Sequence, residues 1–148
     1  MLAAIRRYAH WLHTRWPAGT VEPLPLNGPD GRTRVSGVSV AGDLSGVPLL
    51  KFALEGGVRA VRAIARDLGP RRDGLPQGTV DLAILGGGVA GMAAALEAKK
   101  LGLSFTVIEA SEAFSTIANF PRAKPIYTYP VAMKPAGDLQ VTATVKET

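Results

Sequence analysis

The chain has 148 residues, of which 47% are hydrophobic and 20% charged, a balance that suits one packed domain and excludes an unfolded polyelectrolyte. It has no cysteine, which rules out a disulfide framework, a thiolate metal site and a C-x-x-C redox pair within it. The net charge of +5 arises wholly in residues 1–74, with eleven Lys/Arg against six Asp/Glu; no RNA- or DNA-binding motif accompanies the excess, so nucleic acid is not an expected partner.

Residues 2–16 predict a helix. Leu2, Ile5, Ala9, Leu12 and Trp16 recur at three- and four-residue steps, and Tyr8 and Trp11 widen the apolar face. Arg6, Arg7, His10, His13 and Thr14 take the other side, and Pro17 and Gly19 stop the helix. His10 and His13 share a face, but no third ligand accompanies them and no metal is expected. A basic amphipathic helix suits a membrane surface or a partner helix. Packing against the rest of a larger enzyme is the preferred reading. Residues 17–34 are rich in Pro and Gly and form a connector, so residues 1–34 read as one unit and 35–148 as another.

Residues 38–41 suit a short buried strand that Gly42-Asp43 ends. A helix is expected from Pro48 to Asp67, with Pro48 in its first turn and Gly56-Gly57 marking close packing on a cofactor or on a sheet. Arg59, Arg62 and Arg66 make a basic stripe on it, read as a solvated face. Residues 69–78 are a linker. Strand 38–41, the helix and a strand at 80–85 then make one βαβ unit.

The next unit is the most informative. Val80 to Leu85 are an apolar run. Gly86, Gly87, Gly88, Val89, Ala90 and Gly91 spell G-x-G-x-x-G, an alanine-rich helix follows, and 104–108 form a second apolar run that ends on Glu109 and Ala110. Order and spacing fit a βαβ unit that binds a dinucleotide. Gly86 allows the tight turn, Gly88 lets a pyrophosphate approach the main chain, and Gly91 lets the helix lie close to the sheet. The helix N-terminus faces the phosphates. A carboxylate at Glu109 accepts hydrogen bonds from a ribose and repels a 2′-phosphate, favouring FAD or NAD over NADP.

Two such units predict at least three parallel strands with both faces needing cover. The fold class is therefore α/β: a Rossmann-like FAD/NAD(P)-binding fold with a partial parallel sheet and flanking helices. Residues 111–114 suggest a turn of helix, 119–137 an extended Pro-rich loop, and the alternation Leu139, Val141, Ala143, Val145 a last strand. The longest apolar run, 82–96, is fifteen residues, short of the roughly twenty that span a bilayer. No signal-peptide core is evident, so a cytoplasmic location is expected.

Three stretches resemble the flavoprotein pyridine nucleotide-disulfide oxidoreductases, of the thioredoxin-reductase-like and bacillithiol-disulfide-reductase-like kind. They are Ile84-Leu85-Gly86-Gly87-Gly88-Val89-Ala90-Gly91 through Val107-Ile108-Glu109; residues 119–130 with Met133 and Gly137-Asp138-Leu139-Gln140; and Gly31-Arg32-Thr33 with residues 37–43. The resemblance implies that FAD is the cofactor, that the glycine loop holds its pyrophosphate, and that Glu109 holds the adenosine ribose. It also implies that Asp43, after Gly42, reaches the ribityl and pyrophosphate region. In that family the Gly-Asp pair lies near the chain's end; here it precedes the glycine loop, so the order resembles a circular permutation joined through 69–78. The family's second glycine fingerprint, for NAD(P)H, has no match here. The expected role is the FAD-binding portion of an NAD(P)H oxidoreductase that lacks its NAD(P)H domain, truncated or a fragment of a longer reading frame. The alternative is a non-catalytic dinucleotide-binding or interaction module. Uncovered sheet faces favour a homodimer.

Overall fold

A computed structural model describes residues 2–14, 23–69 and 76–142. The end of the first predicted helix, most of the linker and the predicted strand beyond Thr142 lie outside the described residues. The elements are α1 (Leu2–Thr14), a 3-10 turn (Gly42–Ser45), α2 (Leu50–Leu68), β1 (Leu82–Leu85), α3 (Val89–Lys100), β2 (Phe105–Ile108) and α4 (Ser115–Ala118).

β1 and β2 are parallel, with Leu82 opposite Phe105 and Leu85 opposite Ile108. Their start is clipped by Asp81, whose carboxylate accepts the Ser104 backbone N–H at 2.8 Å and its hydroxyl at 2.7 Å. Side chains alternate as a strand requires. Leu82, Ile84, Phe105 and Val107 turn inward onto Ala94, Ala95 and Ala98 of α3 and Val61 of α2. On the other face Ala83, Leu85, Thr106 and Ile108 are exposed, Leu85 by 83%. The sheet is therefore covered on one face by the described residues.

α3 lies between the sheet and α2. Its alanines allow close approach on both sides, and Ala93, Ala94, Ala95, Glu97 and Ala98 are all buried. α2 contributes Leu54, Val58 and Val61, spaced for one helical face, which are its most deeply buried large side chains. Leu54 and Val58 meet Ala93, and Ala136, Leu139 and Val141 of the chain's last described segment cover that cluster. Two polar clamps fix this segment along α2. The Lys51 ammonium donates to the carbonyls of Pro130 (2.9 Å) and Val131 (3.1 Å), and the Glu55 carboxylate accepts the Ala136 N–H at 2.6 Å. Lys51 is buried, so the two carbonyls replace water around its charge.

Three expectations need correction. Residues 38–41 do not form a third parallel strand. Ser39 bridges Arg32 antiparallel instead, and Val40 donates to the Gly31 carbonyl at 2.8 Å, so these backbone groups are spent in a local reversal. Gly31 (φ 80°) and Gly37 (φ 77°) permit that reversal. Among the described residues the sheet thus has two strands, not three. α2 begins at Leu50, with Pro48 before its extended N-cap Leu49 rather than in its first turn. Arg59, Arg62 and Arg66 are exposed as expected, and Arg62 in addition donates at 2.7 Å to the buried carboxylate of Glu97 on α3. Finally, 139–142 form no strand, although Leu139 and Val141 both face the core as their alternation requires.

Candidate functional site

The turn from β1 into α3 is built by three constraints. Gly86 has φ 104°, a conformation closed to most side chains, and its N–H is held by the Ile108 carbonyl at 2.8 Å. Gly91 sits against the turn so closely that a Cβ there would lie 1.9 Å from the Gly86 carbonyl oxygen. Gly88 is different. It is the extended N-cap of α3 (φ −72°, ψ −173°), and a Cβ on it would meet nothing within 4 Å. No side chain caps the helix, so the first-turn N–H groups of Val89, Ala90 and Gly91 have no intrahelical acceptor. They carry the positive end of the α3 dipole.

Glu109 follows β2 directly. Its carboxylate accepts the Gly87 N–H at 2.5 Å through one oxygen and the Ser111 N–H at 3.0 Å through the other. These donors, Gly87 first, hold the carboxyl below its ordinary value of 4.5. The acid therefore stands ionised beside the glycine turn.

Gly42 and Asp43 reach the same place from the other direction. Gly42 is buried with φ 75°, and a Cβ on it would come within 3.1 Å of the Ala90 methyl. Gly57 of α2 is pressed onto the same first turn, where a Cβ would lie 2.2 Å from the Ala90 carbonyl oxygen. Gly57 thus marks helix-on-helix packing, while Gly56 faces Ala41 and Gly42 at ordinary contact distance; neither meets the sheet. Asp43 is exposed at the rim.

Together these segments border an open cleft of about 280 Å³. One side is Gly86, Gly88, Val89, Ala90 and Gly91; another is Gly42 and Asp43; Leu50, Ala53 and Leu85 add apolar surface. Of the residues singled out in the sequence, Gly87 is buried beneath Glu109, and Gly87, Glu109 and Ala110 are not among the lining residues. Four that sequence reading passed over do line the cleft: Phe114, Thr116, Ile117 and Phe120. The helical turn was expected at 111–114 but forms at Ser115–Ala118, and Phe114 is its N-cap in a left-handed conformation (φ 59°) tied to the Gly87 carbonyl at 2.9 Å. Two phenylalanines six residues apart just after β2 were the available signal.

The cleft suits an elongated anion-bearing ligand. It offers uncapped N–H groups beside open space, the exposed carboxylate of Asp43 at the rim and an apolar wall, while the Glu109 carboxylate stands just outside it on the Gly87 N–H. Among the described residues no group of three or more His, Asp or Glu is placed to hold a metal, and no helix is long and apolar enough to cross a membrane.

These features define a small α/β unit with a two-stranded parallel sheet whose glycine turn opens on a binding cleft. Residues 81–120, which run from the clip at Asp81 through β1, α3, β2 and α4 to Phe120, match the family model described as FAD binding domain. No curated protein and no solved structure matches the chain. The match supports FAD as the cofactor.

Proposed function

We propose that the chain is the FAD-binding portion of a flavin-dependent NAD(P)H oxidoreductase of the pyridine nucleotide-disulfide type, with a Rossmann-like fold in permuted order. The observation that carries this reading is the single cleft bordered by both Gly42-Asp43 and the 86–91 turn. Residues 81–120 alone speak for FAD. The Gly-Asp segment is distant in sequence and need not have met them.

In this reading the Gly88 edge and the N–H groups of Val89, Ala90 and Gly91 receive the pyrophosphate. Glu109 accepts the adenosine ribose hydroxyls, and Asp43 those of the ribityl chain. Gly86 and Gly91 shape the turn, Gly87 fixes Glu109, and Ala110 follows it at the ribose end. When bound, FAD supplies two-electron redox chemistry; NAD(P)H would deliver the hydride and a disulfide or another acceptor would take the electrons. The NAD(P)H site would come from sequence outside this chain. A cytoplasmic location and pairing of two copies through the open sheet face go with the same reading.

The test is reconstitution. The purified chain, mixed with FAD and passed through a sizing column, should carry flavin absorbance with it and quench flavin fluorescence. Absence of both ends the reading. Binding without reduction by added NAD(P)H leaves this chain as a cofactor-binding module and assigns the reductase step to other sequence.

A further inference from the structure

α1 and α2 are both amphipathic, but they end differently. The apolar face of α2 is buried against α3 and the 136–141 segment. The apolar face of α1 is open: Ile5 is 60% exposed, Tyr8 63% and Trp11 44%. Among the described residues, packing between named elements involves α2, α3, the 3-10 turn and the two strands, and not α1. Tyr8 and Trp11 stack on one another with ring centroids 5.8 Å apart, one helical turn along this face.

The opposite face is basic. Arg6 and Arg7 lie on it with His10, and Arg15 follows in sequence; the first acid of the chain is Glu22. This composition decides between occupants. A second copy of α1 would bring arginines against arginines with no acid to pair them. A water-facing enzyme surface would not display Ile, Tyr and Trp in one stripe. An anionic bilayer surface satisfies both faces. Tyr and Trp sit at the headgroup level, the aliphatic side chains enter the acyl boundary, and the arginines meet lipid phosphates and carboxylates.

We propose that α1 is a peripheral anchor that lies flat on an anionic lipid surface and holds the cofactor-binding unit there. The helix does not span: its thirteen residues are too few. The anchor does not depend on the FAD reading, because neither the lipid-facing nor the basic residues belong to the cleft.

The chain's own tryptophans make the test direct. Both of them, Trp11 and Trp16, lie in or just after this helix. Tryptophan emission of the full chain therefore reports on this segment alone. Vesicles of phosphatidylcholine with roughly one-third phosphatidylserine should shift the emission to the blue, and brominated lipid should quench it. Vesicles of phosphatidylcholine alone should do neither. Raising salt from about 0.05 M to about 0.5 M should release the protein. The double substitution Arg6→Gln, Arg7→Gln should reduce vesicle binding about tenfold or more, as should Ile5→Glu, while leaving FAD binding and far-ultraviolet circular dichroism unchanged. Absence of vesicle binding, equal binding to neutral vesicles, or unchanged binding by both variants would overturn the anchor. The first of these outcomes would turn the face over to a protein partner.

Discussion

Glu109 and Gly87 are 22 positions apart in the chain, yet the carboxylate of one holds the backbone N–H of the other at 2.5 Å. That bond joins the end of β2 to the turn after β1. It places a fixed negative charge beside the uncapped start of α3, which is the polarity a ribose followed by a pyrophosphate requires.

The same bond makes a pH prediction. The folded-state pKa of Glu109 is depressed, chiefly by the Gly87 N–H. Its contribution to stability is therefore present above the ordinary value of 4.5 and is lost as pH falls through the folded value. Melting temperature measured from neutral pH down to about pH 3 should fall more steeply for the parent chain than for Glu109→Gln, which has no carboxylate to protonate. Parallel curves would show that the bond contributes nothing.

Gly56 and Gly57 are neighbours with opposite expectations. At Gly56 a new methyl would make ordinary contact at 3.8 Å with Ala41 and Gly42. Gly56→Ala should gain about 0.5–1 kcal/mol from helix propensity. At Gly57 the same methyl would lie 2.2 Å from the Ala90 carbonyl oxygen. Overlap with fixed backbone costs about 1–3 kcal/mol or more and outweighs the propensity gain. Denaturant titration of the two variants should move in opposite directions.

Arg62 and Glu97 give a third prediction. The Glu97 side chain is 4% exposed and that of Arg62 44%. Arg62→Met strands a buried carboxylate and should cost about 1–3 kcal/mol, less than a fully buried pair because solvent reaches the arginine. Adding Glu97→Leu removes the stranded charge, so the double variant should be more stable than Arg62→Met alone. A double variant that is weaker still would place the stabilisation in the pair's packing rather than its charge.

Local signals were legible and long-range ones were not. The G-x-G-x-x-G run, the alanine helix and the acid after β2 are each written within a few residues, and α3, β1 and β2 form where the pattern puts them. Residues 38–41 misled because alternating valines fit a parallel strand and a local reversal equally; Gly31 and Gly37 decided for the reversal. Gly57 read as close packing on a cofactor or a sheet, and only the position of α3 shows that its neighbour is the Ala90 carbonyl. Arg62 is solvated as read, but its ion pair was not legible because Glu97 lies on another helix. Phe114 and Phe120 went unread because nothing local distinguishes a cleft wall from an ordinary loop. The meeting of Gly42-Asp43 with the glycine turn was expected from resemblance, not from spacing, since 42 residues separate Asp43 from Gly86.

Gly88 separates binding from folding more cleanly than any other position. Its backbone is ordinary (φ −72°, ψ −173°), a Cβ there meets no protein atom within 4 Å, and it lines the cleft. Gly88→Val should lose only about 1 kcal/mol of stability, through the poorer N-cap. If the pyrophosphate of FAD lies against this edge, the side chain occupies its place. Titration of FAD into both proteins, followed by flavin fluorescence, should give a Kd about tenfold or more weaker for Gly88→Val, a loss of about 1.4 kcal/mol or more. Equal affinity in the two folded proteins, or no binding by the parent chain, would contradict the assignment of this cleft to FAD.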